Sequence, residues 1–238
     1  MKIIQKILLL IILSIYGCSN KSDYPWFLGS LENAKSYAGE KLIMLDFYAS
    51  WWAACNLLDA NTFSNKEVIK YAQDNLVSLK LDVDKKEGSE LFTAFNCTGM
   101  PTIIFLDSNG KEIDRLIGYL PPDQYQKKVL DISSGINTLS SLLKKYYDGQ
   151  KAPDLIYNIA QKYVDKNDSE NATKFFIELL SYPDLDYEME SNAKFQLAYD
   201  EFKNGNINPL DQFIDDFKFT SLGKQALFLM ARFYKSSN

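Results

Sequence analysis

Residues 42 to 48 read LIMLDFY, an apolar run broken once by Asp46. A run of that length without polar alternation marks a central strand buried on both faces. Its surroundings supply what such a strand needs. A helix follows from about Trp52, with Cys55 on its first turn, and another spans Asn65 to Gln73. The stretch LVSLKLDVD, residues 76 to 84, is the next strand, and Ser89 to Phe95 a helix. Gly99-Met100-Pro101-Thr102 leads into IIFLD, and Ser108-Asn109-Gly110 turns that strand back into KEIDRLIG. Pro121 and Pro122 open a last helix, through about Ile132. Ahead of it all, residues 26–38 carry a helical pattern with Phe27, Leu31 and Ala34 on one face. The expected architecture is α/β, a mixed sheet flanked by helices and finished by an antiparallel strand pair.

Composition changes after Ser133-Ser134-Gly135, and from Asn137 onward only helical patterns remain. Ile156, Ile159, Ala160, Tyr163, Ala172, Phe176 and Leu179, closed by Pro183, resemble a single tetratricopeptide repeat. A second pass, through Phe195, Ala198, Phe202 and Gly205, matches in part. An irregular helical bundle would carry the same apolar stripes, so both readings stand. Either way roughly 100 residues hold at most about three helix pairs, too few for a long solenoid. The expected division is a signal over 1–17, a tether over 18–25, an α/β domain over 26–132 and an all-α domain over 137–238.

The N-terminus, MKIIQKILLLIILSIYGC, has Lys2 and Lys6 before an apolar run too short to span a bilayer. Gly17-Cys18, with Ile15 three residues before the cysteine, resembles a bacterial lipobox. That resemblance implies lipidation of Cys18 and a membrane anchor of two or three acyl chains. Ser19 after the cysteine points to the outer membrane, with the protein facing the periplasm of a bacterial envelope. With Cys18 lipidated, Cys55 and Cys97 are the remaining thiols.

Charge and composition exclude several chemistries. The net charge is −5, or −7 once Lys2 and Lys6 are removed with the first 17 residues. A mildly acidic chain without a Lys/Arg cluster is unsuited to nucleic acid. With no histidine, Ser-His and Cys-His nucleophile pairs and imidazole metal sites are excluded. Asp82-Val83-Asp84 and Asp215-Asp216 read as solvated charge, and no glycine-rich phosphate loop occurs, so neither metal nor cofactor is expected.

Several features in order resemble the thioredoxin family over about residues 26–132. Asp46 lies six residues before Trp52, Phe47-Tyr48-Ala49-Ser50-Trp51 precedes the helix, and Gly99-Met100-Pro101-Thr102 looks like the family's cis-proline loop. DFYASWWAAC and Thr62-Phe63-Ser64 resemble the periplasmic C-terminal thioredoxin domain of the transmembrane thiol:disulfide interchange reductases. The resemblance implies two cysteines at the helix start. The first attacks a disulfide as a thiolate and the second, one turn later, resolves the mixed disulfide. Here Trp52 holds the first place and Cys55 the second. The attacking sulfur is absent, and Asp46, whose family role is to accept a proton near the resolving cysteine, has no complete reaction to serve.

Three functions follow. One is a degenerate scaffold that binds client proteins through Trp51, Trp52, Met100 and Pro101, with the helical region as a docking module. Another is residual thiol-disulfide exchange through Cys55 and Asp46, with Cys97 or an external thiol as partner. The third is a stoichiometric holdase or assembly factor at the envelope, working without redox chemistry. Cys97 reads either as a small core residue or as the other half of a disulfide with Cys55.

Overall fold

The structure, a computed structural model, describes residues 23–236; the signal, Cys18 and most of the expected tether lie outside the described residues. A four-stranded sheet has the order β2-β1-β3-β4, with β1 Leu42–Tyr48, β2 Leu76–Asp82, β3 Thr102–Leu106 and β4 Glu112–Ile117. β1 and β2 run parallel, with Asp46 beside Lys80. β3 lies antiparallel to β1, with Thr102 beside Phe47, and β4 is antiparallel to β3. The LIMLDFY run is explained by burial on both sides. Met44 points to one face, with Ile103, Phe105, Leu58, Phe63, Tyr125 and Val129. Ile43, Leu45 and Phe47 point to the other, with Ile104, Leu106, Ala34 and Ala38.

Helices α1 Leu31–Ala38 and α4 Lys86–Ala94 cover the Phe47 face. The Met44 face carries α2 Ala53–Leu57, α3 Lys66–Asn75 and α5 Pro122–Ser133. Helix α2 continues into a π-helical turn over Leu58–Thr62. Asn65 caps α3 by accepting from the backbone N–H groups of Glu67 and Val68, which fixes where that helix begins.

Three expectations need correction. The helix expected over 26–38 begins only at Leu31, because Ser30 and Asn33 close a capping box there. The preceding residues are extended: Trp26 bridges Ser78 on the outer edge of β2, and the Phe27 N–H donates to the Ser78 carbonyl at 2.7 Å. The tether ends before residue 25, since Tyr24 is a core residue whose hydroxyl lies 3.2 Å from Ser78 Oγ. Finally, α4 starts at Lys86 rather than Ser89. Its first turn runs against the end of β2, and a Cβ on Gly88 would sit 2.0 Å from the Asp82 carbonyl oxygen. Only glycine permits that approach.

Beyond the sheet come α6 Leu139–Tyr147, α7 Pro153–Asp165, α8 Ser169–Leu180, α9 Tyr187–Lys203, α10 Asn208–Phe217 and α11 Ser221–Ser236. Each packs on the next, and α6 and α7 also meet β4. The apolar stripe seen in the sequence lies inside: Ile156, Ile159, Ala160, Ala172, Phe176 and Leu179 share one cluster. Phe195 and Ala198 join a second cluster with Leu210, Phe213 and Met230.

One guanidinium ties this helical region to the sheet. Arg115 of β4 is almost wholly buried and forms a two-pronged pair with Glu112, at 2.8 and 2.7 Å. It also donates to the Asp165 carbonyl at the end of α7 and to the Phe95 carbonyl after α4. Lys162–Asp114 and Lys166–Glu112 add two ion pairs across the same seam.

Candidate functional site

The ends of β1 and β2 place a buried acid next to a cation. Asp46 is 1% exposed; its Oδ1 has no hydrogen-bond partner, and its Oδ2 lies 3.5 Å from Lys80 Nζ. Lys80 is shared, because it also pairs with Asp59, one helical turn beyond Cys55. Its ammonium sits over the rings of Tyr48 and Trp26, at 4.6 and 4.8 Å. Burial pushes Asp46 up to about 7 although Lys80 pulls the other way, and Asp59 adds to the rise.

After β1 the chain turns at Ala49 and enters α2 with Trp52 at the N-cap. The Trp52 N–H donates to the Ala49 carbonyl at 3.1 Å, and the Cys55 N–H to the Trp52 carbonyl at 3.1 Å. No side chain caps this helix start. Trp51 and Trp52 are 62% and 44% exposed and meet edge to face, with ring centres 5.8 Å apart. The Trp51 indole N–H donates to Asp84 at 2.8 Å, which fixes that ring's orientation. Cys55 is 2% exposed, and burial raises its thiol above the ordinary value. Such a thiol is protonated near neutrality and shielded from attack on anything in solution.

The Met100–Pro101 peptide is cis, as the resemblance implies. Because Thr102 pairs with Phe47, this turn sits at the same end of the sheet as the Trp51-Trp52 turn. The Thr102 hydroxyl donates to the Gly99 carbonyl, and the Gly118 N–H to that of Pro101 at 2.8 Å. Met100 is half-buried and Pro101 buried, so Pro101 shapes the loop and offers no contact surface of its own.

Cys97 does not meet Cys55; both are free. Cys97 packs on the Phe47 face of the sheet, and burial pushes its thiol up to about 11. The charged neighbours of Cys55 are Asp46, Asp59 and Lys80. Asp46 shares the side of the pleat with Met44, and Lys80, its partner in the register, lies over the Trp26 and Phe63 rings of that face. The sheet stands between the two sulfurs, so the disulfide and the relay between them are both overturned.

Sequence reasoning missed Asp59, Lys80, Asp84 and Arg115. A signal for the first existed: Asp59 follows Cys55 by four residues, one turn along a helix. Lys80 needed the strand register, which the sequence does not print. Among the described residues no cluster of three or more Cys, Asp or Glu side chains could hold a metal ion.

The sequence model for the thioredoxin-like domain matches residues 31–133. These residues form a thioredoxin-like domain. It is 33% identical over 101 residues to the thiol:disulfide interchange protein DsbD of Tatumella citrea, covering 41% of this chain and 18% of that protein. Against DsbD of Campylobacter jejuni the identity is 41% over 91 residues, 37% of this chain and 16% of the relative. The thioredoxin-like domain thus corresponds to less than a fifth of these relatives. The oxidised DsbD C-terminal domain of Neisseria meningitidis superposes with a TM-score of 0.37 at 22% identity, covering 42% of this chain and 87% of that one.

Proposed function

We propose that this chain is an envelope lipoprotein, anchored through Cys18, whose thioredoxin-like domain binds client proteins without dithiol exchange. One observation carries the reading: a half-exposed indole, Trp52, stands at the N-cap where exchange chemistry needs a thiolate, and the thiol one turn later is buried. Exposed tryptophan pairs suit binding, since a rigid apolar ring gains contact area at little entropic loss. Met100, half-buried, belongs to the turn at the same end of the sheet. The envelope placement rests on the N-terminal sequence and on the likeness to DsbD. Among the described residues no helix is long and apolar enough to cross a membrane.

A second reading is favoured by Asp46, an acid with a raised pKa near Cys55. Raised acids recur at working sites, and here it would serve exchange through Cys55 alone. Reduction of insulin disulfides by dithiothreitol separates the two. The native chain adds no rate, whereas Trp52→Cys supplies the second thiol, so that two electrons pass to insulin and return from dithiothreitol. A native rate that Cys55→Ser abolishes would overturn the binding reading.

A further inference from the structure

We infer that the cleft between the proline loop and helices α7, α8 and α9 binds an extended stretch of client polypeptide, taking one apolar or aromatic side chain into its floor. This deepens the client-binding reading above and rests on it. The cleft has a volume of about 190 Å³. That is somewhat more than the roughly 150 Å³ of an engineered apolar cavity that holds benzene. Val164, Phe176 and Tyr199 supply its apolar lining.

The rim is polar but neutral. Thr98, Asn167, Thr173 and Gln196 line it, and none of these side chains makes a hydrogen bond within the described residues. Two amides and two hydroxyls can each donate and accept, which matches the alternating N–H and C=O groups of an extended backbone. The charged lining residues, Asp200 and Lys203, are already paired at 3.0 Å, and Lys203 also donates to Ser169. Nothing in the cleft therefore selects a charged small molecule.

Its position favours a chain over an isolated ligand. Thr98 belongs to the cleft and stands three residues before Pro101, so a segment lying along the proline loop runs on into it. The geometry is held rigidly, because Arg115 joins the Phe95 carbonyl, ahead of the loop, to the Asp165 carbonyl, ahead of the α7–α8 turn. Two contacts on one chain then reinforce each other through effective concentration.

The test uses the full chain and fluorescein-labelled α-lactalbumin that has been reduced and carboxymethylated, so that it is unfolded and has no thiol or disulfide. Fluorescence anisotropy gives the dissociation constant. Thr173→Trp, which fills the cleft, is expected to weaken binding about tenfold, and Gln196→Ala about threefold, with unchanged melting temperatures. Should Thr173→Trp fail to fold, Gln196→Ala and Asn167→Ala together carry the test. If Trp52→Ala weakens binding while the cleft variants bind like the native chain, this inference falls and the client-binding reading survives. If the native chain binds none of the probe at concentrations up to about 100 μM, where even a binding free energy of about −5.5 kcal/mol would show, both fall.

Discussion

Asp46→Asn tests the electrostatics of the site through stability, without reference to activity. The carboxyl has a pKa of 3.8 when free and about 7 in the folded protein. Between those values the folded state holds a proton that the unfolded state has released. Stability from this group is therefore fully present below 3.8, is lost as pH rises, and is gone above about 7. At pH 5 the native acid is still neutral; at pH 8 it is ionised in a site where burial is the dominant influence. Two of the intervening units lie below the folded value, so the native chain loses about 2.7 kcal/mol relative to the asparagine variant between pH 5 and pH 8. Constant differences, such as the amide's own hydrogen bonding, cancel in that comparison. So does Asp165, pushed up to about 6 by burial, because it is present in both proteins. Urea unfolding followed by tryptophan fluorescence isolates the relevant part, since the three tryptophans, Trp26, Trp51 and Trp52, all lie in or beside the thioredoxin-like domain. From pH 5 to pH 8 the native midpoint should fall by roughly 1–2 M urea relative to that of the asparagine variant, whichever of the two is higher at pH 5. A relative shift of zero, or a native midpoint that rises against the variant's, would refute the claim that Asp46 titrates near neutrality.

Thiol accessibility gives a second check. In the folded protein Cys55 and Cys97 should react with iodoacetamide at pH 7 at least about a hundredfold more slowly than after unfolding in urea, because both thiols are raised and Cys55 is buried; comparable rates would show an exposed, activated sulfur. Arg115→Met removes the guanidinium joining Phe95, Glu112 and Asp165, and leaves Glu112 with Lys166. It should destabilise the chain by about 3 kcal/mol in urea unfolding, and a loss below about 1 kcal/mol would show that the seam does not depend on it.

The sheet was legible because its signals are local. LIMLDFY declares two-sided burial by itself, Ser108-Asn109-Gly110 declares the hairpin, and Pro122 marks a helix start. What escaped was set by tertiary contact. Ser78 recruits Trp26 and Phe27 as an added edge, overriding an apolar periodicity that also fits a helix. The helix start at Lys86, ahead of Gly88, depends on the close approach of the Asp82 carbonyl, which no local pattern announces. The site divides the same way. Trp52 and Cys55 could be placed from their spacing, whereas the Asp46–Lys80–Asp59 chain depends on a parallel register and a helix rotation. Residue separation alone could not decide whether Cys97 reaches Cys55, because that turns on which face of β1 each packs against.

The retained acid is the sharpest clue to how this site works. An ionised Asp46 destabilises the fold above pH 7 in proportion to its raised pKa, and Lys80 offsets only part of that, since Asp59 competes for the same ammonium. If the group were an inert core residue, asparagine would fill the space with less electrostatic strain. A carboxyl with that raised pKa serves either to exchange a proton with the nearby sulfur or, once ionised, to hold the Lys80 ammonium. The pH dependence and the alkylation rates must therefore be read together. A titrating Asp46 beside an unreactive Cys55 means that the carboxyl acts through Lys80, holding the ammonium among the Trp26 and Tyr48 rings that buttress this end of the sheet. A titrating Asp46 beside a Cys55 whose alkylation rises through the same pH range would instead assign the acid to the thiol, and would move the balance from binding toward exchange.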